Sequence, residues 1–215
     1  MKNNFTLKLY MGAADDKPWS QMTIRKDGKF HKSGNAYIAV SEDSRLFDIP
    51  SGTNPRAVNP ESARVKAIRQ TLENDPGFAV YNGGMCVVID DGSLQVDEEA
   101  GTISFSCNGK GCGHYDGQHS VEGVRQGAAN SKDQMFQLKL VENSFFPTEA
   151  AQRRAAETWN ARSVQKPHSE INQRGSFDDF KSSLSSQHVA NIGWRENERN
   201  SSGEIIRKEC NMGRV

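Results

Sequence analysis

Apolar and polar residues alternate over much of the first 50 residues, which is the period-two pattern of half-buried β-strands. An Asp-Gly pair at residues 27–28 separates two of the strand-like stretches and is a frequent hairpin turn. We therefore predict an antiparallel β region over residues 4–50. Its strand-like stretches are residues 5–11, 21–25, 36–40 and 45–49.

The first predicted helix follows a proline-rich loop and covers residues 60–74. Asn59 is a favoured N-cap residue, and Pro60 suits the first helical position because that position needs no backbone N–H donor. Apolar residues recur at a helical spacing and form one stripe along a single face. The residues of this stripe are Val65, Ile68 and Leu72. We expect it to pack against the β region.

Strand patterns return in the middle of the chain, between turns that contain glycine or acidic residues. Residues 78–81 are a short apolar and aromatic run, which predicts a strand. Three further strand patterns, at residues 86–89, 94–96 and 102–107, predict a three-stranded meander. The glycine-rich residues 109–127 are predicted to be a loop.

A strand at residues 134–141 leads into the second predicted helix, at residues 148–162. Thr148 is a suitable N-cap, and Glu149 can pair with Arg153 one turn later. Small and aromatic residues at successive turns form a stripe, which consists of Ala151, Ala155 and Trp159. The chain then becomes rich in Ser, Asn, Gln and charge. This composition predicts a polar, loosely packed C-terminal tail over residues 164–215.

Together these elements predict an α+β fold in which antiparallel β-meanders pack with two main helices. We expect one domain over residues 1–163, with its N-terminal β region at 4–50 and a central meander and helix at 78–162. Of the 215 residues, 35% are hydrophobic, and the mean hydropathy is −0.73. A core is therefore expected over part of the chain only, since ordering the rest would cost more than its burial returns.

Charge narrows the classes of partner. Lys plus Arg and Asp plus Glu number 27 each, so the chain lacks the basic excess that is usual in nucleic-acid binders. Residues 61–120 hold nine acidic and four basic groups, which makes this middle part a candidate contact surface for another protein, as is the polar tail. No apolar run approaches the roughly 20 residues of a membrane span. We expect a cytoplasmic protein without a membrane partner.

The cysteines are the first candidate chemistry. Cys107 and Cys112 are separated by four residues, two of them glycines, so a tight loop can turn both thiolates toward one ion. Cys86 lies one predicted hairpin earlier. His114 completes a candidate set of four zinc ligands, with His119 as the alternative fourth ligand. The competing interpretation is that the cysteines are small buried apolar residues.

Catalysis finds less support in the sequence. Two histidines and an aspartate within residues 114–119 can do acid–base work, and a thiol beside His114 can in principle be a nucleophile. No phosphate-binding loop or dinucleotide fingerprint is present in the sequence. We predict a protein that is not an enzyme.

Several of these residues together form a pattern that resembles the Lar-type restriction-alleviation proteins of phages and prophages. The resemblance covers residues 83–162 only. It implies a small zinc ribbon followed by a helix that ends in a Trp-Asn-Arg motif, in an accessory protein that blunts host restriction. The matching residues are Met85-Cys86, Ser106-Cys107, Cys112-Gly113, Thr148-Glu149-Ala150 and, at the end of the helix, residues 156–162. One cysteine of the family's first pair is absent here, and the second pair is more widely spaced.

From the resemblance and the lack of a catalytic motif we expect a non-enzymatic phage or prophage accessory protein in the bacterial cytoplasm. It would bind a host protein and inhibit restriction or another defence. One alternative is a zinc-ribbon protein associated with nucleic acid. Another is a virion or structural protein whose tail orders in an assembly.

Overall fold

The computed structural model describes residues 3–12, 17–53, 58–131, 133–160 and 177–190, with residues 192, 194, 200, 202 and 206. Two β-sheets and several helices confirm the predicted α+β class. The larger sheet has the strand order β2-β3-β8-β4-β7 and the smaller one β1-β6-β5. The strands are β1 (Asn4–Lys8), β2 (Trp19–Lys26), β3 (Lys29–Ala39), β4 (Met85–Ile89), β5 (Gln95–Asp97), β6 (Thr102–Ser106), β7 (Gly113–Asp116) and β8 (Met135–Glu142).

Helices lie between and after these strands. None of the described helices has both the length and the apolar character that crossing a membrane would take. The α-helices are α1 (Ala63–Asn74), α2 (Phe78–Tyr81), α3 (Gln118–Gly127), α4 (Glu149–Asn160), α5 (Asp178–Ser183) and α6 (Ser186–Ala190). Short 3-10 helices cover Arg45–Asp48, Ala128–Asn130 and Asn143–Phe145.

The N-terminal hairpin of β2 and β3 forms as predicted, but the first strand, β1, belongs to the other sheet. β2 and β3 pair antiparallel around residues 27–28, where both backbone φ angles are positive, at 51° and 77°. β1 instead pairs with β6, which is about 100 residues away in sequence and places Phe5 opposite Phe105. The residues of β1 alternate between exposed and buried, as the sequence indicates, but alternation does not identify the partner strand.

The predicted three-stranded meander is wrong, although each of its strands exists. β5 and β6 form a hairpin in the smaller sheet. β4 lies in the larger sheet, parallel to β8 and antiparallel to β7. All five residues of β4 are buried, which is typical of a central strand covered on both faces, whereas β6 alternates between buried and half-buried.

The helix α1 confirms the predicted stripe, because Val65 and Leu72 are buried and Ile68 packs against the core. Its N-cap is Ser62 rather than Asn59, so the helix starts three residues later than predicted. The Ser62 hydroxyl accepts a hydrogen bond from Val65 N at 3.3 Å. Asn59 instead closes the preceding turn by accepting from Glu61 N.

Three predicted elements are corrected by local hydrogen bonding and packing. The stretch predicted as a strand at residues 45–49 instead forms a 3-10 helix at Arg45–Asp48, which the Ser44 hydroxyl caps. Residues 78–81 form the helical turn α2. In the turn just before it, Gly77 N donates a hydrogen bond to Asp75 Oδ1. The predicted loop at 109–127 contains β7 and α3.

The helix α3 shows why its glycines do not signal a loop. Gly123 and Gly127 lie one turn apart on the face toward α1. A Cβ at Gly123 would lie 2.5 Å from Ile68 Cγ2, and one at Gly127 would lie 3.1 Å from Leu72 Cδ2. The missing side chains therefore allow the two helices to approach closely.

The two faces of the larger sheet carry different packing. On β8, Phe136, Leu138 and Leu140 are fully buried in the main core, whereas Lys139 and Val141 point to the other face. The helix α4 covers this second face, with its cap as predicted: Ala151 N donates to Thr148 Oγ1 at 3.2 Å. The predicted end of the helix, residues 161–162, lies outside the described residues.

Candidate binding cleft and cysteine loop

The loop that connects β6 and β7 carries two of the three central cysteines. Cys107 and Cys112 are 3% and 6% exposed, and they form no disulfide. Cys107 Sγ lies 3.6 Å from the carbonyl oxygen of Val88, and Cys112 Sγ donates to Asp90 Oδ1 at 3.2 Å. We call residues 106–112 the cysteine loop.

The carboxylate of Asp90 organises the cysteine loop. Partial burial raises the pKa of Asp90, but the donated hydrogen bonds outweigh this effect and lower the pKa to about 2. The carboxylate therefore stays charged over the physiological range and holds the loop in one conformation. Its donors are Ser106 Oγ at 2.6 Å, Asn108 N at 2.9 Å, Asn108 Nδ2 at 3.1 Å, Gly109 N at 2.8 Å and Cys112 Sγ.

The thiols in this region are poor nucleophiles. Burial raises the pKa of Cys86, Cys107 and Cys112 to about 12 in each case, and the nearby Asp90 carboxylate adds to the rise for Cys107 and Cys112. At neutral pH all three are neutral thiols, whereas a nucleophile or a metal ligand needs the thiolate.

The histidines predicted as further zinc ligands lie on two different elements. His114 is on β7 opposite Val87, and burial lowers its pKa to about 4. His119 lies in the first turn of α3. Among the described residues, no group of three or more His, Cys, Asp or Glu side chains is arranged to hold a metal ion. Zinc binding at the cysteines stays a prediction.

Cys86 lies apart from the cysteine loop, on the face of the sheet that α4 covers. It borders a cavity of about 500 Å³ that also includes Asp116, Lys139 and Trp159. Cys112 borders a different and smaller cavity, of about 320 Å³, beside Glu149 and the cysteine loop. The structure thus places the two thiols at separate cavities.

A larger cavity lies between α4 and the sheet, and we call it the basic cleft. Its volume is about 620 Å³, within the range of ligand sites in proteins. The sheet contributes Ile24, Lys26, Ser33, Lys139 and Val141. The connection to α4 contributes Phe145 and Phe146, and α4 itself contributes Ala150, Ala151, Arg154, Ala155, Thr158 and Trp159.

The cleft exists because α4 presents small side chains to the sheet. Ala151 and Ala155 lie one turn apart on the face of the helix toward the sheet, and Ala150 borders the cavity beside them. Their methyl groups leave open the space that larger apolar side chains would fill. Trp159 closes this face at the C-terminal end of the helix, as the predicted stripe indicates.

Aromatic rings form one continuous wall of the basic cleft. The centroids of Phe145 and Phe146 are 5.2 Å apart, and those of Phe146 and Trp159 are 5.7 Å apart, both in edge-to-face geometry. Tyr115 supports the wall from behind, 5.6 Å from Trp159. Aromatic pairs at such distances stabilise one another, so the wall is preorganised.

Of the described residues that line the cleft, three are cationic and none is acidic. Lys26 Nζ lies 4.6 Å from the centroid of the Phe145 ring and donates to the Phe145 carbonyl oxygen at 2.7 Å. Lys139 Nζ lies 5.6 Å from the centroid of the Trp159 ring. Within the described part of the chain, neither lysine nor Arg154 forms an ion pair with a carboxylate.

The adjacent residue on α4 behaves differently from Arg154. Arg153 Nη2 lies 3.6 Å from Glu149 Oε2 and 3.4 Å from Asp178 Oδ2, so its charge is balanced within the protein. The charge of Arg154, one residue later and on the cleft side, is available to a ligand.

Sequence reasoning missed the basic cleft. Two signals were present: Lys139 interrupts the apolar strand β8, and Arg154 lies within the alanine-rich face of α4. Neither signal indicates that the two residues line the same cavity. In comparisons with protein-family models, with curated proteins and with solved structures, the chain matches none of them.

Proposed function

We propose that this protein is a non-enzymatic binding protein whose basic cleft receives an acidic segment of a partner protein. One observation carries the proposal: three cations, which have no carboxylate partner among the described residues, surround a preorganised aromatic wall. Such a surface provides charge complementarity to an acidic partner and apolar contact area in the same place. The acidic middle of the chain and the polar tail stay predictions as contact surfaces, and the basic cleft is a different surface.

The groups in the cleft support binding rather than turnover. Lysine, arginine and aromatic side chains provide attraction and contact area, and Trp and Arg are frequent in the energetically dominant parts of interfaces. The buried thiols, whose pKa values are raised to about 12, line other cavities.

The narrower part of the proposal is that the partner is a host defence protein, such as a restriction enzyme, in the bacterial cytoplasm. It rests on the resemblance of residues 83–162 to Lar-type restriction-alleviation proteins. Trp159, which belongs to the closing motif of that resemblance, lines the basic cleft. A phage or prophage accessory protein would use the cleft to occupy an acidic segment of the host protein.

Plating of unmodified phage on a restricting host tests the proposal. Expression of the protein should raise the plating efficiency, and the double variant Lys139→Glu, Arg154→Glu should remove most of that increase. The matched control is Lys8→Glu, Arg64→Glu, which changes the net charge equally at two exposed positions away from the cleft. Both double variants should accumulate to wild-type levels.

The outcomes separate the two parts of the proposal. If the wild-type protein gives no protection against any restriction system, host restriction is not its target. If it protects and the cleft variant protects equally well, the basic cleft is not the contact surface.

A further inference from the structure

We infer that the basic cleft recognises an extended segment of about four residues that carries acidic groups at both ends and apolar side chains between them. This inference rests on the proposed function and specifies the chemistry of the segment that the partner presents. The shape of the cleft, the positions of its cations and its apolar floor carry it independently of the partner's identity.

The length of the cleft sets the length of the segment. The lining residues of α4 run from Ala150 to Trp159, which corresponds to about 14 Å at the helical rise of 1.5 Å per residue. An extended chain advances about 3.3 Å per residue, so this length accommodates about four residues.

Two of the three cations lie at the ends of the cleft, on the side of the sheet, and the third lies between them on α4. Lys26 is held beside Phe145, which precedes α4 and marks the N-terminal end of the cleft. Lys139 is held beside Trp159 at the C-terminal end. Arg154, in the middle of α4, lines the cleft on the side opposite the sheet. Acidic groups at both ends of a bound segment would each meet a lysine.

The region between the two lysines is apolar. Val141 forms its floor, and Phe146 of the aromatic wall borders it; the two residues are 4% and 8% exposed. Ala151 and Ala155 line it from α4. Leucine or phenylalanine side chains would bury apolar surface there. A segment that is only acidic would use the lysines and leave this region unfilled.

Anilinonaphthalene sulfonate, an aromatic anion, is a suitable reporter because it combines the two properties that the cleft recognises. Its fluorescence should rise on binding to the full-length protein and should saturate at one site. Acetyl-Asp-Phe-Leu-Asp-amide should displace it. Two matched peptides, acetyl-Asn-Phe-Leu-Asn-amide without charge and acetyl-Asp-Gly-Ser-Asp-amide without apolar side chains, should each compete at least about tenfold less well.

Variants locate the binding site. Lys139→Glu with Arg154→Glu should weaken the binding of both the reporter and the acidic apolar peptide by at least about tenfold. Lys8→Glu with Arg64→Glu should leave both unchanged. If binding is the same in the cleft variant, or if the three peptides compete equally, the inference is wrong.

Two other occupants are outcomes of the same experiments. If sedimentation shows a dimer that the cleft variant dissociates, the occupant is a second copy of this chain and the inference is overturned. If an oligonucleotide of random sequence displaces the reporter better than the acidic peptide does, the cleft recognises phosphate and the inference is also overturned. A peptide result as expected combined with a negative plating assay would refute only the host-defence target.

Discussion

The cysteine loop and the basic cleft are both polar regions beside the larger sheet, and they use their polar groups in opposite ways. In the cysteine loop, five donors are directed at the single carboxylate of Asp90. In the cleft, Lys139 and Arg154 have no carboxylate partner among the described residues. The polar groups of the cysteine loop are hydrogen-bonded to one another, whereas the charged groups of the cleft can bind a ligand.

This difference shows what separates a structural polar cluster from a binding site. Cysteine, histidine and aspartate are typical residues of metal and catalytic sites. Here burial keeps the thiols neutral, and hydrogen bonds within the loop occupy the carboxylate of Asp90. Lysine, arginine and alanine do not by themselves indicate a site in a sequence, but packing places them around one cavity. The loop should therefore govern stability, and the cleft should govern binding.

Removing the Asp90 carboxylate should have the largest effect on stability. Asp90→Ala removes the acceptor of five hydrogen bonds, which should lower the free energy of unfolding by about 3 kcal/mol, at the usual net contribution of about 0.5–1 kcal/mol for each bond. Urea denaturation measures the change. The control, Glu99→Ala in an exposed turn, should change it by less than about 0.5 kcal/mol. Equal effects would show that the loop is not a structural centre.

The pH dependence of stability should show the next largest effect, through His114. Burial lowers the pKa of the folded state from 6.5 to about 4. Below pH 6.5 the unfolded chain takes up a proton that the folded protein does not. The free energy of unfolding should therefore fall by roughly 2 kcal/mol between pH 7 and pH 4.5.

A variant isolates this contribution from that of the carboxyl groups. His114→Gln cannot titrate in this range, so the difference in stability between the wild type and the variant should shrink or reverse as the pH falls from 7 to 4.5. Thermal unfolding at the two pH values measures it. A difference that does not change with pH would mean that the histidine is not buried in its neutral form.

Cys112→Ser should have a smaller effect, within about 1 kcal/mol, because the serine hydroxyl can donate to Asp90 as the thiol does. Elemental analysis of the wild type and of the variant is the second measurement. If the wild type carries one zinc ion and the serine variant loses both the metal and its fold, the loop is a metal site after all. Cys112→Val, which keeps the size and removes the donor, should be less stable than the serine variant.

Reversing the charges in the cleft should have the smallest effect on stability and the largest on binding. Lys139→Glu with Arg154→Glu removes no ion pair among the described residues, so the free energy of unfolding should stay within about 0.5 kcal/mol of the wild-type value. Urea denaturation measures the free energy of unfolding, and titration with the fluorescent reporter measures binding. A marked loss of stability would indicate that these cations support the fold.

Much of the secondary structure follows from local pattern. The strand β6, the hairpin of β2 and β3, and the helices α1 and α4 all appear where periodicity predicts them. The errors occur where a local signal is ambiguous. The glycines that pack α3 against α1 predict a loop by composition, because glycine is frequent in loops as well as in close helix contacts. The apolar run at 78–81 is too short for periodicity to distinguish a strand from a helical turn.

Sequence alone determined which faces of the elements are buried, because the spacing of apolar residues reflects the geometry of a single helix or strand. Only the tertiary structure decided which strands pair and which side chains meet. The pairing of β1 with β6 joins residues more than 90 positions apart, and the cleft brings Lys26 to the same cavity as Lys139 and Arg154, which lie more than 110 positions later. Such contacts depend on how whole elements pack, and one residue's type or spacing carries no information about a distant partner.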